Sequence, residues 1–145
     1  MHTGQKRRTK AAAAFEKKEN KRMTVQELYD VIGDYGEVKK RLMNDKIIGK
    51  FVVRFPEDPS YGQLMSAWEK QDSQEIFRAA HTLKGVCANL SLSELLKTAE
   101  LITEAYRPGQ EDRLQETDMP QAIKKLQEQY QDTVTAIHNY EKDSV

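Results

Sequence analysis

Phe77-Arg78-Ala79-Ala80-His81-Thr82-Leu83-Lys84-Gly85-Val86-Cys87-Ala88-Asn89-Leu90 is the stretch that decides the fold. Extended back to Ser73 and plotted at about 100° per residue, it places Ile76, Ala80, Leu83, Cys87 and Leu90 on one face, which predicts an amphipathic helix. His81 falls on the opposite side, with Gln74, Phe77, Arg78, Lys84, Gly85 and Ala88 as its helical neighbours. A histidine kept for structure belongs in or beside the apolar stripe, where a partner satisfies its ring nitrogens. This one faces outward. Residues three and four apart lie side by side on a helix, so Lys84 can reach a group attached to His81 while Gly85 leaves the ring uncrowded. Glycine inside a helix costs about 1 kcal/mol relative to alanine, so something other than helix stability favours it here. Close packing of another helix is one reading. A protein partner that brings its backbone near the imidazole is the other, and the side on which Gly85 projects favours it.

Helix signals continue in both directions from this segment. Thr24 with Glu27 makes a capping-box pattern for a short helix carrying Val25, Leu28, Tyr29 and Ile32, ended by Gly33. Short helices around Glu37 to Met43 and from Asp45 to Phe55 follow, and Pro56 and Pro59 then interrupt helical bonding. The longer helices are expected over Ser60 to Gln71, capped by Ser60; Ser73 to Leu90, capped by Ser73; Ser93 to Tyr106, stopped by Arg107-Pro108-Gly109; and Asp118 to Glu141. In the last, Asp118 serves as cap, Pro120 sits in the first turn, and Ile123, Leu126, Tyr130, Val134 and Ile137 form a stripe. Phe51, Phe55, Leu64, Trp68, Leu95, Leu96, Ala99 and Ile102 are the expected interior. Four such stripes predict an all-α, antiparallel four-helix bundle with additional short N-terminal helices.

The 145 residues suffice for one core, and a composition that is 32% charged and only 8% aromatic, rich in Lys, Glu, Leu, Ala and Gln, favours helices over a turn-rich β architecture. The lone Cys87 excludes an internal disulfide and a multi-cysteine metal site, and its place in the stripe reads as a buried structural thiol. No stretch approaches the roughly 20 apolar residues that span a bilayer, so the reading is cytoplasmic without membrane insertion. Net charge is zero but uneven: residues 1–22 carry +6 and residues 23–145 carry −6. The run Lys6-Arg7-Arg8-Thr9-Lys10 has no interleaved aromatics, which speaks against nucleic acid as its partner. Residues 1–22 read as a basic tail, a linker or an appended extension, and residues 23–145 as the folded unit.

The quoted stretch resembles the signature helix of histidine-containing phosphotransfer (HPt) domains. Together with Asp58 to Trp68 before it and Leu92 to Arg107 after it, the resemblance covers most of Met23 to Val145. The His-x-x-Lys-Gly core alone is a weak pattern; the flanking alanines, the Asn89-Leu90 pair and the helix spacing make it specific. Ser91 stands where many members have glycine, and serine can still terminate a helix or cap the next. The resemblance implies that His81 is the phosphoacceptor, that a response-regulator receiver domain is the partner, and that this partner supplies the aspartate together with Mg²⁺. It also implies docking on Phe77, Arg78, Lys84, Gly85 and Ala88.

Residue chemistry agrees with this. The outer nitrogen of a neutral imidazole is a competent nucleophile toward phosphorus, and Lys84 offers positive charge beside the phosphoryl oxygens. There is no Walker loop, no glycine-rich nucleotide loop and no Mg²⁺-holding acidic cluster, so the chain reads as a phosphohistidine carrier without autonomous ATP-dependent kinase activity. Glu100 and Glu104 read as a solvated face, and no metal or intrinsic cofactor is indicated. His138 reads as a boundary residue of the last helix and His2 lies in the tail. Phe77 reads equally as a partner contact or as a ring folded back on the adjacent helix. Three functions stay open: a phosphorelay intermediate between a hybrid sensor histidine kinase and a response regulator, the phosphoacceptor piece of a larger chemotaxis-type kinase, and a non-enzymatic helical adaptor.

Overall fold

Thr24 starts the fold with a reciprocal cap, its Oγ1 accepting from Glu27 N at 3.1 Å and its own N donating to Glu27 Oε1 at 2.9 Å. In the computed structural model, which describes residues 22–144, this cap opens α1 (Val25–Ile32). There follow α2 (Tyr35–Leu42), α3 (Asp45–Val52), a 3₁₀ turn (Phe55–Glu57), α4 (Ser60–Lys70), α5 (Ser73–Asn89), α6 (Ser93–Ala105), α7 (Glu111–Gln115) and α8 (Met119–Ser144). The expected basic tail, residues 1–22, lies almost wholly outside the described residues.

Local chemistry corrects several expected boundaries. Neither Ser60 nor Ser73 is a cap. Asp58 Oδ1 accepts from Ser60 N at 2.9 Å one residue further out, and Asp72 Oδ1 accepts from Glu75 N at 3.2 Å. A carboxylate one or two residues upstream outcompetes the serine for the orphan amide, as acidic side chains favour helix starts. Asp34 likewise caps α2, which therefore begins two residues before Glu37, and the third helix stops at Val52 because Pro56 breaks its bonding into a separate 3₁₀ turn. Asp118 caps α8 as expected, through Gln121 N at 3.1 Å. The short α7 was not foreseen: five residues with no buried side chain carry no periodic signal.

α5 packs between α4 and α6, joined to each by a tight turn, so the three run antiparallel, and α8 closes the bundle against α6. Tyr130 of α8 stacks on Tyr61 of α4 at 3.7 Å between ring centroids and meets Phe55 at 5.6 Å. With 26 residues, α8 is about 39 Å long and outruns its partners. α1 and α3 cover its free end: Gly49 lies against Tyr140, and Met23 N donates to Asp143 Oδ2 at 3.1 Å. One apolar cluster joins all of these, with Leu28, Val38, Ile48, Leu64, Leu83, Ile102, Leu126 and Ile137 each fully buried.

Phe51 is the correction to the expected interior, since it is 45% exposed while Phe55, Leu64, Leu95, Ala99 and Ile102 are buried. Trp68 and Leu96 are partly buried against the core.

The N-terminal cover also clamps the lower end of α5. Tyr29 Oη donates to Leu90 O at 2.7 Å, Asp34 N donates to Ser91 O at 3.0 Å, and Arg41 Nη1 donates to both Ala88 O and Ser91 Oγ at 2.9 Å. Burial pushes the Tyr29 phenol well above its ordinary range, so it stays a donor. Ser91 sits at φ 52, in the left-handed region where glycine is the low-cost residue. Its hydroxyl accepting from Arg41 and its carbonyl accepting from Asp34 hold it there.

Candidate functional site

The middle of α5 presents the candidate chemistry. Ala79, Ala80, Leu83 and Cys87 bury one face at 5% exposure or less, which fixes the rotation of the helix and turns His81, Arg78 and Gly85 to solvent. Phe77, Lys84 and Ala88 are half-buried along the side nearest α6 or at the edge of the exposed strip. All six residues expected at the site therefore lie on one continuous face. Among the described residues nothing lies within 4 Å of the position a Cβ would occupy at Gly85, so none of the described helices requires its small size. The open space beside His81 is a property of the surface, not of core packing.

Phe77 is half-buried; its ring lies 5.8 Å from the His81 ring, tilted by 39°, and the Arg107 guanidinium sits 5.3 Å from its centroid. The Arg107 contact supports the reading of a ring folded back toward the end of α6. Arg78 is exposed and ion-paired with Glu75 at 2.5 Å, while Thr82 Oγ1 donates to Arg78 O.

Glu104, expected on a solvated face, is partly exposed and also ion-paired. Its carboxylate takes Arg107 Nε at 3.0 Å and Nη2 at 2.7 Å, and Arg113 Nη1 at 3.1 Å. The hydrogen bonds from Arg107 hold the Glu104 carboxyl below its ordinary range, and the charges of Arg107, Arg113 and Lys84 add to this. Arg107 and Arg113 thereby converge on one acid, and the charge of Lys84 reaches it from α5. Sequence reading missed Arg107 and Arg113; the i,i+3 spacing of Glu104 and Arg107 was the available signal for the first, whereas Arg113 arrives only through the α6–α7 turn. Glu100 remains exposed.

His138 follows the buried Ile137 on α8 and is itself exposed. Exposure alone does not separate the two helical histidines, but their neighbours do. Three residues after His81 stands Lys84, and three after His138 stands Glu141, which would repel a phosphoryl group at the same spacing. Cys87 is fully buried, and burial followed by the charge of Asp58 pushes its thiol up to about 12, which removes it from thiolate chemistry. Among the described residues no three His, Cys, Asp or Glu are grouped to hold a metal ion, and no helix is long and apolar enough to cross a membrane.

Compared with known protein families, the chain matches the Hpt domain over residues 47–139, which is well over half its length and contains the whole of α4, α5 and α6. No curated protein and no solved structure matches it.

Proposed function

The chain belongs to the histidine-containing phosphotransfer (HPt) domain family, whose members serve phosphorelay histidine phosphotransfer in two-component signalling, and from that membership we propose that His81 is the phosphoryl carrier. The observation that carries this reading is the exposed imidazole at the middle of α5 with Lys84 on one side and unfilled space at Gly85 on the other.

In the forward step an outer ring nitrogen of His81 attacks the phosphorus of a receiver-domain aspartyl phosphate. The P–N bond forms, the P–O bond to the acyl oxygen breaks, and the aspartate leaves as its carboxylate, while the N–H proton on the other ring nitrogen stays in place throughout. Transfer to a second receiver reverses these bonds. Lys84 places its ammonium where three phosphoryl oxygens gather, and positioning of charge is the main contribution a protein makes to this reaction. The receiver brings Mg²⁺, a hybrid sensor histidine kinase stands upstream, and the chain itself draws no phosphate from ATP. We infer a cytoplasmic setting, where such receivers are found.

The test is incubation with a panel of radiolabelled phospho-receivers from the same organism. The expected result is label on this chain that is acid-labile and alkali-stable, as a phosphoramidate is; absence of transfer from every receiver, with the folded protein confirmed by circular dichroism, sinks the reading in favour of a helical adaptor. Lys84→Ala should slow transfer about tenfold, a loss of about 1.4 kcal/mol in the transition state, while leaving measurable activity. Its melting temperature should stay within error of wild type, because a half-exposed helix-face lysine contributes little to folding. An unaltered rate would demote Lys84 to a solubilising residue.

A further inference from the structure

Between the N-terminal helices and the last turns of α5 the fold leaves a cavity of about 440 Å³. Its lining is mostly apolar. Phe55 and Leu90, 2% and 7% exposed, belong to the core and form the floor. Leu42 of α2 and Val86 of α5, both half-buried, make the sides. Phe51 stands at the mouth, because α3 buries Ile48, Gly49 and Val52 and so turns the ring outward. Sites for small organic molecules are concave, mostly apolar and of roughly 300 to 1,000 Å³, with a few polar groups that fix orientation. The size and the apolar lining meet that description, so the polar groups decide what kind of molecule fits.

Four polar side chains line the cavity, and the fold uses only two of them. Arg41 is committed, its Nη1 donating to Ala88 O and to Ser91 Oγ at 2.9 Å each. Asp58 is half committed, its Oδ1 accepting from Ser60 N at 2.9 Å and from Ser60 Oγ at 2.5 Å. The half-buried Arg54 guanidinium and Asn89 side-chain amide differ from these, since neither has a hydrogen-bond or ion-pair partner among the described residues. A guanidinium presents two parallel N–H donors to a carboxylate, and an apolar wall beside it lowers the local dielectric and strengthens the bond. The sign and number of charges narrow the choice further. One uncommitted cation with the Asp58 carboxylate nearby suits a single negative charge, whereas a phosphate dianion would meet repulsion. Residues 1–22, at +6, carry the wrong sign to fill the space.

We propose that this cavity binds a small organic monocarboxylate with an apolar body. The hydrocarbon lies against Phe55, Val86 and Leu90, the carboxylate pairs with Arg54, and the Asn89 amide is a further donor at the polar end.

The experiment follows amide resonances of the full ¹⁵N-labelled chain during titration with decanoate below its micelle concentration. Decan-1-ol is the neutral control, and phosphatidylglycerol vesicles present the same chemistry as a lipid surface. Decanoate should move the resonances of Leu42, Val86, Asn89 and Leu90 saturably and bind about tenfold more tightly than decan-1-ol, the gain expected of one charge-assisted pair. Arg54→Gln should weaken decanoate about tenfold and leave decan-1-ol unchanged, a split that a merely structural role for Arg54 would not produce. Val86→Trp, which fills the space, should abolish binding of both, with its fold checked by circular dichroism; should it not fold, Arg54→Gln decides alone. The proposal is overturned if decanoate gives no saturable shifts, if the shifts lie away from the end of α5, if Arg54→Gln binds decanoate as the wild type does, or if folded Val86→Trp still binds it. A response to vesicles without one to monomeric decanoate overturns it as well, and would make this face a lipid-surface contact.

Discussion

His81→Gln should abolish phosphate incorporation from every receiver that labels the wild-type protein, with no loss of helicity and no lowering of the melting temperature. The side chain is exposed, makes no hydrogen bond among the described residues, and is not part of the buried core, so its replacement removes chemistry without removing packing. Surface substitutions of this kind fall within about 0.5 kcal/mol in stability. The rival site is tested in the same measurement. His138→Gln should retain full labelling although His138 is just as open to solvent, because Glu141 stands where His81 has Lys84. Residual label in His81→Gln, or label mapped to His138, would remove the assignment.

Two glycines of this chain should respond in opposite ways to the same change. Gly85→Ala should preserve or raise stability by up to about 1 kcal/mol, since alanine is the better helix former and nothing lies within 4 Å of the new methyl. Transfer should nevertheless slow, and Gly85→Glu should slow it by two orders of magnitude or more, because a bulky anion beside His81 both blocks approach and repels the phosphoryl group. Gly33→Ala should do the reverse. Its backbone is extended at φ −176, which any residue adopts, but a methyl there would overlap the Ser91 carbonyl oxygen and lie 3.0 Å from the Ser91 carbonyl carbon. That close approach is where Asp34 N donates to Ser91 O, so relief requires separating α1 from the end of α5, at a cost of about 2 to 3 kcal/mol. Thermal melts and transfer rates on the two variants decide the matter. Early melting of Gly85→Ala with a normal rate in the folded fraction would make Gly85 a packing residue and end the docking-face argument at that position.

Much of this molecule was open to reading without coordinates because its signals are local. The stripe Ile76, Ala80, Leu83, Cys87, Leu90 sets the rotation of α5, and with it the outward direction of His81 and Gly85, since an amphipathic helix has one way to face a core. The Thr24–Glu27 box and the Asp118 cap are likewise properties of four consecutive residues. Membership of the HPt family followed from the same short stretch, whose spacing the whole bundle then respects.

What the tertiary structure alone decided involves residues far apart in the chain. Phe51 belongs to an apolar helix by pattern, yet α3 buries Ile48, Gly49 and Val52, which turns Phe51 outward. Arg107 meets Glu104 by i,i+3 spacing, but Arg113 reaches the same carboxylate only through the turn into α7, and the charge of Lys84 arrives from α5. Ser91 tolerates a left-handed backbone only because Arg41 and Asp34, fifty or more residues earlier, bind its hydroxyl and carbonyl. Periodicity reports which face of a helix leaves water; it carries no term for which partner that face meets, and the surroundings of His81 are set by those meetings.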